Sequence, residues 1–216
     1  MDAGWVRIPV MTTRPVPREL RKRLFFGIFG IAFVFVLWNN ERFFLNPLAP
    51  EWAHFNPIRW LLLPHGLAGL VALLLGATQF STRLRRRNPR IHRLNGKLYI
   101  AGTMILAPVA MWMAFINSPW FLQVFTFVQA GTLLLFTFAA YACAVRGNFA
   151  AHREWMVRSY GILLIFLEGR VLMAIPALER GGMGSIVLVN WACMVITLVA
   201  TECFLHWRQL FPLKAA

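Results

Sequence analysis

The chain has 216 residues, of which 59% are hydrophobic, and its mean hydropathy is +0.60. Soluble domains are about 45–50% apolar, so this excess indicates a polytopic membrane protein rather than a soluble domain. The formal net charge of +14 resembles that of a nucleic-acid-binding protein. Because the apolar runs are long enough to span a bilayer, we attribute this charge to cytoplasmic loops and exclude nucleic acid as a partner.

Six apolar segments follow one another along the chain, each near the ~20 residues that a helix needs to cross ~30 Å of hydrocarbon. They cover residues 24–38, 58–80, 98–116, 121–145, 159–178 and 186–207. A spanning segment must satisfy its own backbone hydrogen bonds, so we predict an all-α bundle of six transmembrane helices. The polar start of the chain has no A-x-A cleavage motif, and we expect the first run to stay as an anchor.

Basic residues are concentrated in alternate connections, at residues 1–23, 83–99 and 146–158. The positive-inside rule therefore predicts that both termini are cytoplasmic. We expect the protein to lie in the inner cell membrane. The predicted organisation is a tail over residues 1–23, one transmembrane domain over 24–207 with a four-helix core over 58–178, and a tail over 208–216. The expected partners are the bilayer and anionic lipid head groups at the cytoplasmic face, and a homodimer is left open.

Two similar stretches, HRLNGKLY from His92 and HREWMVRSY from His152, lead into helices that run outward. Imidazole is a common metal ligand and the usual haem-iron ligand, so two histidines at one depth could hold one iron. Neighbouring cations could contact haem propionates or a phosphate. The candidate cofactor is haem b, with both histidines as metal ligands and with these candidate binding residues: His92, Arg93, Tyr99, His152, Arg158 and Tyr160. The alternative is that each histidine bonds only to a loop carbonyl or a lipid phosphate.

Polar residues also form a layer in the outer half of the membrane, at depths of ~6–15 Å by the helical rise of 1.5 Å per residue. Charges inside a membrane are costly and usually face a partner or a cavity. We predict a substrate or proton site at His65, Gln129, Glu168, Arg170 and Asn190. A structural clamp that joins Arg170 to Glu168 or Asn190 is the alternative. Because positions two apart on a helix do not face each other, Glu168 and Arg170 are expected to contact different neighbours.

Taken together, HGLAGLVALLLGATQF, RLRRRNPRIHRLNGKLY and HREWMVRSY with a downstream arginine resemble the predicted membrane proteins grouped as domain of unknown function 2306. The resemblance covers roughly residues 59–207 and implies an integral membrane protein without implying an activity. The positions typical of the family are then His65, Gln79, Arg87, His92, Arg93, Gly96, Tyr99, His152, Arg158, Tyr160 and Arg170.

A looser similarity to transmembrane b-type cytochromes implies histidine-ligated haem. This sequence departs from the two-haem pattern because the outer half has one histidine and none to pair with it, so at most one bis-histidine haem is expected, on the inner side. Four functions remain open: a redox protein with a haem or quinone-type site, a solute or proton-coupled transporter, a lipid-linked enzyme, and a structural or assembly factor. No HExxH motif or nucleophile elbow is present, and enzyme activity is left undecided. We favour the redox protein because matched histidines with cationic neighbours suit a cofactor that carries acidic groups.

Overall fold

The computed structural model describes residues 18–46 and 48–210, so most of the predicted tails, residues 1–17 and 211–216, lie outside the described residues. Across these two ranges every regular element is a helix and no strand occurs. Six helices are long: α1 (Arg18–Asn39), α3 (Arg59–Thr78), α5 (Pro89–Asn117), α6 (Trp120–Val145), α7 (Phe149–Met173) and α9 (Gly182–Leu210). Three are short: α2 (Glu51–Phe55), α4 (Thr82–Arg87) and α8 (Pro176–Glu179). The prediction of an all-α bundle is confirmed.

Five of the long helices are long and apolar enough to cross a membrane, namely α1, α3, α5, α6 and α9. The remaining long helix, α7, has 25 residues and carries the charges of Arg153, Glu154, Arg158, Glu168 and Arg170. The chain is therefore a helix bundle with several membrane-length apolar helices. A sixth crossing by α7 stays a prediction, as does the side of the membrane on which the termini lie.

Four helices form the centre of the bundle. In this group α3 packs against α5, α5 against α6, α6 against α7, and α7 against α3, while α1 and α9 also contact α7. We call the end where α1, α5 and α7 begin, and where α3, α6 and α9 end, the basic end, because α4 with its arginines lies there. The other end is called the far end.

Small residues bring α3 close to α5. A Cβ atom on Gly102 would lie 3.0 Å from the Ala68 carbonyl oxygen and 3.3 Å from the Ala72 Cβ. Close backbone approach at small residues is a common way for membrane helices to associate. The same closeness places aromatic rings of α5 and α7 directly against Gly76 of α3.

The prediction of a loop over residues 83–99 is wrong, because this stretch is helical apart from Asn88, which separates α4 from α5. The physical reason lies in the helix-start residues. Pro89 suits the first turn of a helix, where its missing N–H is not needed. At the equivalent place before α7, the Asn148 side chain caps the helix by accepting the Ala151 N–H at 3.2 Å. Both predicted histidines therefore lie on helices instead of loops.

The far end has a compact connection between α1 and α3 that the sequence analysis did not predict. It contains α2 and two short 3-10 helices, Arg42–Leu45 and Asn56–Ile58. Phe43 and Trp52 are buried here in an edge-on contact with ring centroids 5.0 Å apart. The Arg59 guanidinium lies 4.5 Å from the centre of the Trp52 ring, which ties this connection to the start of α3.

Candidate functional site

The two histidines of the predicted cofactor site occupy the same position in their helices. His92 is the fourth residue of α5, and its amide donates to the Asn88 carbonyl oxygen at 3.0 Å. His152 is the fourth residue of α7, and its amide donates to the Asn148 carbonyl oxygen at 2.9 Å. Both histidines thus lie one helical turn from the start of their helices, at the basic end, and both are half-buried.

The histidine-bearing faces of α5 and α7 turn towards each other. Residues seven apart lie on one face of a helix, so Tyr99 shares the face of His92, and Ser159 shares the face of His152. The Tyr99 hydroxyl and the Ser159 hydroxyl are hydrogen-bonded at 2.6 Å. His92 and His152 are also close enough for their charges to interact. The two predicted ligands therefore lie on facing helices at the same end of the bundle, within electrostatic range of each other.

The two imidazoles differ in what they bond. The His152 Nδ1 atom lies 2.8 Å from the Ala140 carbonyl oxygen, and because a carbonyl only accepts, this nitrogen is the donor. In the neutral ring Nε2 then keeps a lone pair, which is the arrangement that orients a histidine towards a metal. The His92 Nδ1 atom is buried and has no hydrogen-bond partner within the described part of the chain. Buried polar atoms are usually paired, so this nitrogen is available to a ligand.

A series of hydrogen-bonded, buried hydroxyl groups lies next to the histidines, on the side of the far end. Ser159 bonds to Tyr99 at 2.6 Å and to Thr137 of α6 at 2.7 Å, and all three side chains are fully buried. The neighbouring Tyr160 hydroxyl donates to the Leu73 carbonyl oxygen of α3 at 3.0 Å. All four central helices are thus joined by buried hydrogen bonds at this level.

Three of the predicted cofactor residues lie away from the histidine pair. Arg158 turns towards α9, where its guanidinium donates to both carboxylate oxygens of Glu202 at 2.6 and 3.0 Å. Arg93 is exposed, and Tyr160 packs towards α1 and α3. The cation that the structure places near His92 is Arg85 of α4. Within the predicted set, only Tyr99 accompanies the two histidines.

The predicted polar layer of the outer half separates into two groups, the first of which faces α9. The Glu168 carboxylate accepts the Thr197 hydroxyl at 2.7 Å. One residue along α7, Gly169 faces Asn190, whose side-chain oxygen would lie 2.9 Å from a Cβ atom at that glycine. Glu168 and Asn190 therefore lie on the side of α7 that contacts α9.

The second group lies around Arg170 at the far end. One guanidinium nitrogen of Arg170 is 3.7 Å from the carboxylate of Glu41, in the connection that follows α1. Burial raises the pKa of Glu41, and Arg170 opposes this rise. The His65 Nδ1 atom donates to the Leu106 carbonyl oxygen at 3.2 Å, and His65 lies within electrostatic range of Arg170.

The contacts of these residues show whether the predicted polar layer of the outer half forms one site. Among the described residues Arg170 forms an ion pair with Glu41 and none with Glu168, so the two charges of α7 contact different neighbours, as expected. The fifth predicted residue, Gln129, donates to the Ile162 carbonyl oxygen at 3.4 Å, between α6 and α7. The five residues share a membrane level but do not form one contiguous cluster.

The sequence analysis missed Ser159, Thr137, Thr197 and Glu41. For Ser159 a usable signal existed, because it stands seven residues after His152, as Tyr99 stands seven after His92. The two similar stretches both end in a tyrosine, but Tyr160 stands eight residues after His152 and is therefore one position out of register with Tyr99. The partners on α6, α9 and the connection after α1 have no such signal, since they depend on how the helices pack.

The fold and the polar groups inside the bundle together define the class of protein to which the chain belongs. A bundle with several apolar helices of membrane length, polar groups bonded inside it and arginines at one end is a multi-pass integral membrane protein. The family model described as predicted membrane protein, DUF2306, matches residues 62–205, which is two thirds of the chain. The chain belongs to this family, and the matched region includes both histidines of the pair.

No curated protein and no solved structure matches the chain. The looser similarity to b-type cytochromes therefore stays a prediction. Across the described residues no group of three or more His, Cys, Asp or Glu side chains is arranged to hold a metal ion. The two opposed histidines are the set on which a cofactor hypothesis rests.

Proposed function

We propose that the protein is a membrane redox protein that holds one cofactor of the haem class between His92 and His152. The observation that carries the proposal is the opposed pair itself: two histidines at the same turn of facing helices, one with a buried nitrogen that has no partner within residues 18–46 and 48–210. Two protein ligands suffice for haem iron, because the porphyrin supplies the other four. Bound haem supplies one-electron transfer chemistry.

The residues around the pair fit such a group. The Ala140 carbonyl fixes the ring of His152 and leaves Nε2 as the free nitrogen, which is the usual support for a ligating histidine. The hydroxyls of Tyr99, Ser159 and Thr137 lie on the side of the far end, where all three are fully buried and hydrogen-bonded to one another. A water-poor surrounding is one of the means by which proteins set a redox potential. Arg85 lies within electrostatic range of His92, and its positive charge would offset acidic groups of a cofactor.

The membrane arrangement belongs to the same proposal. We place α7 as a sixth membrane crossing. It contacts α1, α3, α6 and α9, so little of its surface would face lipid. Its charges inside the bundle also have partners, since Arg158 binds Glu202 and Glu168 accepts from Thr197. We place the basic end in the cytoplasm and the protein in the inner membrane, because α4 carries consecutive arginines and the positive-inside rule applies to short connections.

The test is the absorption spectrum of the detergent-purified protein, oxidised and chemically reduced, with iron analysis on the same sample. We expect a Soret band and about one iron per chain for bis-histidine haem. His92→Ala and His152→Ala should each remove most of the absorbance. His65→Ala is the matched control, since His65 also donates from Nδ1 to a backbone carbonyl but lies at the far end.

Two results would overturn the proposal. One is a folded wild-type protein with no Soret band and no iron, both as purified and after incubation with haem. The other is full haem content in His92→Ala and His152→Ala together. Helix content measured by circular dichroism verifies that each variant is folded.

The transporter alternative has weaker support. It needs the polar layer of the outer half to face a common path, and the residues of that layer bond to separate neighbours: Glu168 to Thr197, and Arg170 to Glu41. A role as a structural or assembly factor would leave the His92 Nδ1 atom, which has no hydrogen-bond partner among the described residues, without a ligand. The redox proposal places a ligand beside this histidine.

A further inference from the structure

A cavity of about 250 Å³ lies at the basic end, between the start of α1 and the junction of α3 with α4. Three elements build it, so it is not a surface stripe of a single helix. Its lining residues are Lys22, Arg23, Phe26, Ala77, Phe80, Ser81 and Thr82. The histidine pair contributes nothing to this cavity.

One part of the lining suits an anion. Lys22 and Arg23 provide two cations, Ser81 and Thr82 provide two hydroxyls, and none of the described lining residues is a carboxylate. The Ser81 oxygen accepts the Leu84 amide at 3.1 Å, which leaves its own hydroxyl hydrogen to donate elsewhere. Ammonium, guanidinium and hydroxyl groups together are typical ligands of phosphate oxygens.

The other part of the lining is apolar and continues onto the outside of α1. The rings of Phe26 and Phe80 lie 6.1 Å apart, and Phe25 packs edge-on against Phe26 at 5.2 Å. Phe25 is 50% exposed and Ile28 is 69% exposed. The apolar segment of α1 that could cross the membrane begins at Lys22, so the two cations stand at its polar boundary.

We infer that this cavity binds one anionic phospholipid. The head-group phosphate contacts Lys22, Arg23 and the hydroxyls, and an acyl chain runs along Phe26 and the exposed face of α1. The apolar wall selects a lipid over a free phosphate, because a small inorganic anion gains nothing from aromatic rings. Basic cavities between membrane helices near the head-group level are known to take anionic lipids. This inference is independent of the proposed haem site.

A second basic surface supplies the matched control. Arg90, Arg93, Leu94 and Lys97 line a second open cavity of about 240 Å³ along one face of α5, with the same kind of charge but no aromatic wall. A double substitution there removes as much charge, from the same end of the bundle, as a double substitution in the cavity. General attraction to an anionic surface should respond equally to both changes.

The experiment is native mass spectrometry of the delipidated full-length protein in a neutral detergent, titrated with phosphatidylglycerol and, separately, with phosphatidylcholine. We expect the wild type to bind one phosphatidylglycerol in preference to phosphatidylcholine. Lys22→Gln with Arg23→Gln should weaken this binding by about tenfold or more. Arg90→Gln with Lys97→Gln should leave it near the wild-type value.

Two further variants separate a lipid from a free phosphate and guard against misfolding. Phe26→Ala should weaken lipid binding, while the charge-preserving exchange Lys22→Arg with Arg23→Lys should retain it. The inference is overturned if both Gln pairs weaken binding equally, or if the wild type does not distinguish the two lipids. It is also overturned if inorganic phosphate at millimolar concentration displaces the lipid fully and Phe26→Ala has no effect.

Discussion

α1 and α7 are both long helices of this bundle, and they bury very different fractions of their surface. Ten residues of α7 are buried, from Met156 to Gly169. Of the α1 side chains that the structure describes, Val36 alone is buried, and Ile28 and Ile31 are 69% and 74% exposed. Yet α1 is apolar enough to cross a membrane, whereas α7 falls outside that group because of its charges.

The difference shows that apolarity and burial measure separate properties in a membrane bundle. A helix that faces lipid must be apolar around its surface, because lipid tails cannot pair polar groups. A helix enclosed by other helices can carry polar side chains where neighbours satisfy them, as α6 and α9 do for Ser159 and Glu168. Changes at the contacts of α7 should therefore cost more than changes at the edge near α1.

The largest effect is expected where α3 touches the tyrosines of α5 and α7. A Cβ atom on Gly76 would lie 2.7 Å from the ring of Tyr160 and 2.9 Å from that of Tyr99. Both hydroxyls are bonded, so neither ring can turn away without breaking a hydrogen bond. Gly76→Ala should lower the free energy of unfolding by about 2–3 kcal/mol, seen as a reduced melting temperature in detergent.

Gly131→Ala on α6 is the control, because its nearest neighbour would be the Met111 methyl at 3.9 Å. That change should leave the melting temperature unchanged or slightly raised, since alanine favours a helix over glycine. Equal melting temperatures for the two variants would contradict the close packing at α7.

The next effect concerns the hydroxyl chain inside the four central helices. Ser159→Ala removes two interhelical bonds and leaves Tyr99 and Thr137 without their partner in a fully buried place. A loss of about 1–2 kcal/mol in unfolding free energy is expected. Thr103→Val is the control, since the equally buried Thr103 hydroxyl donates only within its own helix, to Ile100 at 2.8 Å. A loss for the Thr103 variant as large as that for Ser159 would argue against a role for the interhelical bonds.

The sequence predicted the helices far better than their partners. Long apolar runs define most of the bundle, and the positions of His92 and His152 in matching motifs led to the pair that the structure brings together. The start of α5 does not follow from the charge pattern, because the arginine-rich stretch before His92 predicts a loop, although Asn-Pro is itself a start signal. Side-chain partners such as Glu202 for Arg158 were assigned only in general terms, since a helix sequence does not specify which neighbour packs on which face.

A smaller effect is expected at the basic end, where α7 is linked to α9. The Arg158 guanidinium donates to Glu202 at 2.6 and 3.0 Å and also pairs with Glu154 at 3.5 Å. Glu202 is 48% exposed, so solvent screens the pair, and Arg158→Gln should cost about 0.5–1 kcal/mol. High salt should shrink this difference. Arg153→Gln, at an exposed position of the same helix, should have no measurable effect, and a similar loss in both variants would exclude the α9 contact as its cause.

The smallest effect is expected at the far end, where the connection after α1 meets Arg170. Because burial raises the pKa of Glu41, the folded state holds this proton more tightly than the unfolded chain does. The contribution of Glu41 to stability is therefore full below the ordinary carboxyl pKa and declines as pH rises through the higher folded value. Glu41→Gln cannot titrate and should lack this decline.

The difference in unfolding free energy between Glu41→Gln and the wild type, followed through their melting temperatures, should consequently favour the variant more at about pH 8 than at about pH 4, by under about 1 kcal/mol. Arg170→Gln should enlarge the decline of the wild-type carboxyl, because Arg170 opposes the effect of burial on Glu41. If the wild type gained stability over Glu41→Gln as pH rose, attraction to Arg170 would outweigh burial. An ion pair between Glu41 and Arg170 would then stabilise the edge of the bundle near α1, as the Arg158–Glu202 pair stabilises the contact of α7 with α9. The difference in packing between α1 and α7 would then be one of degree.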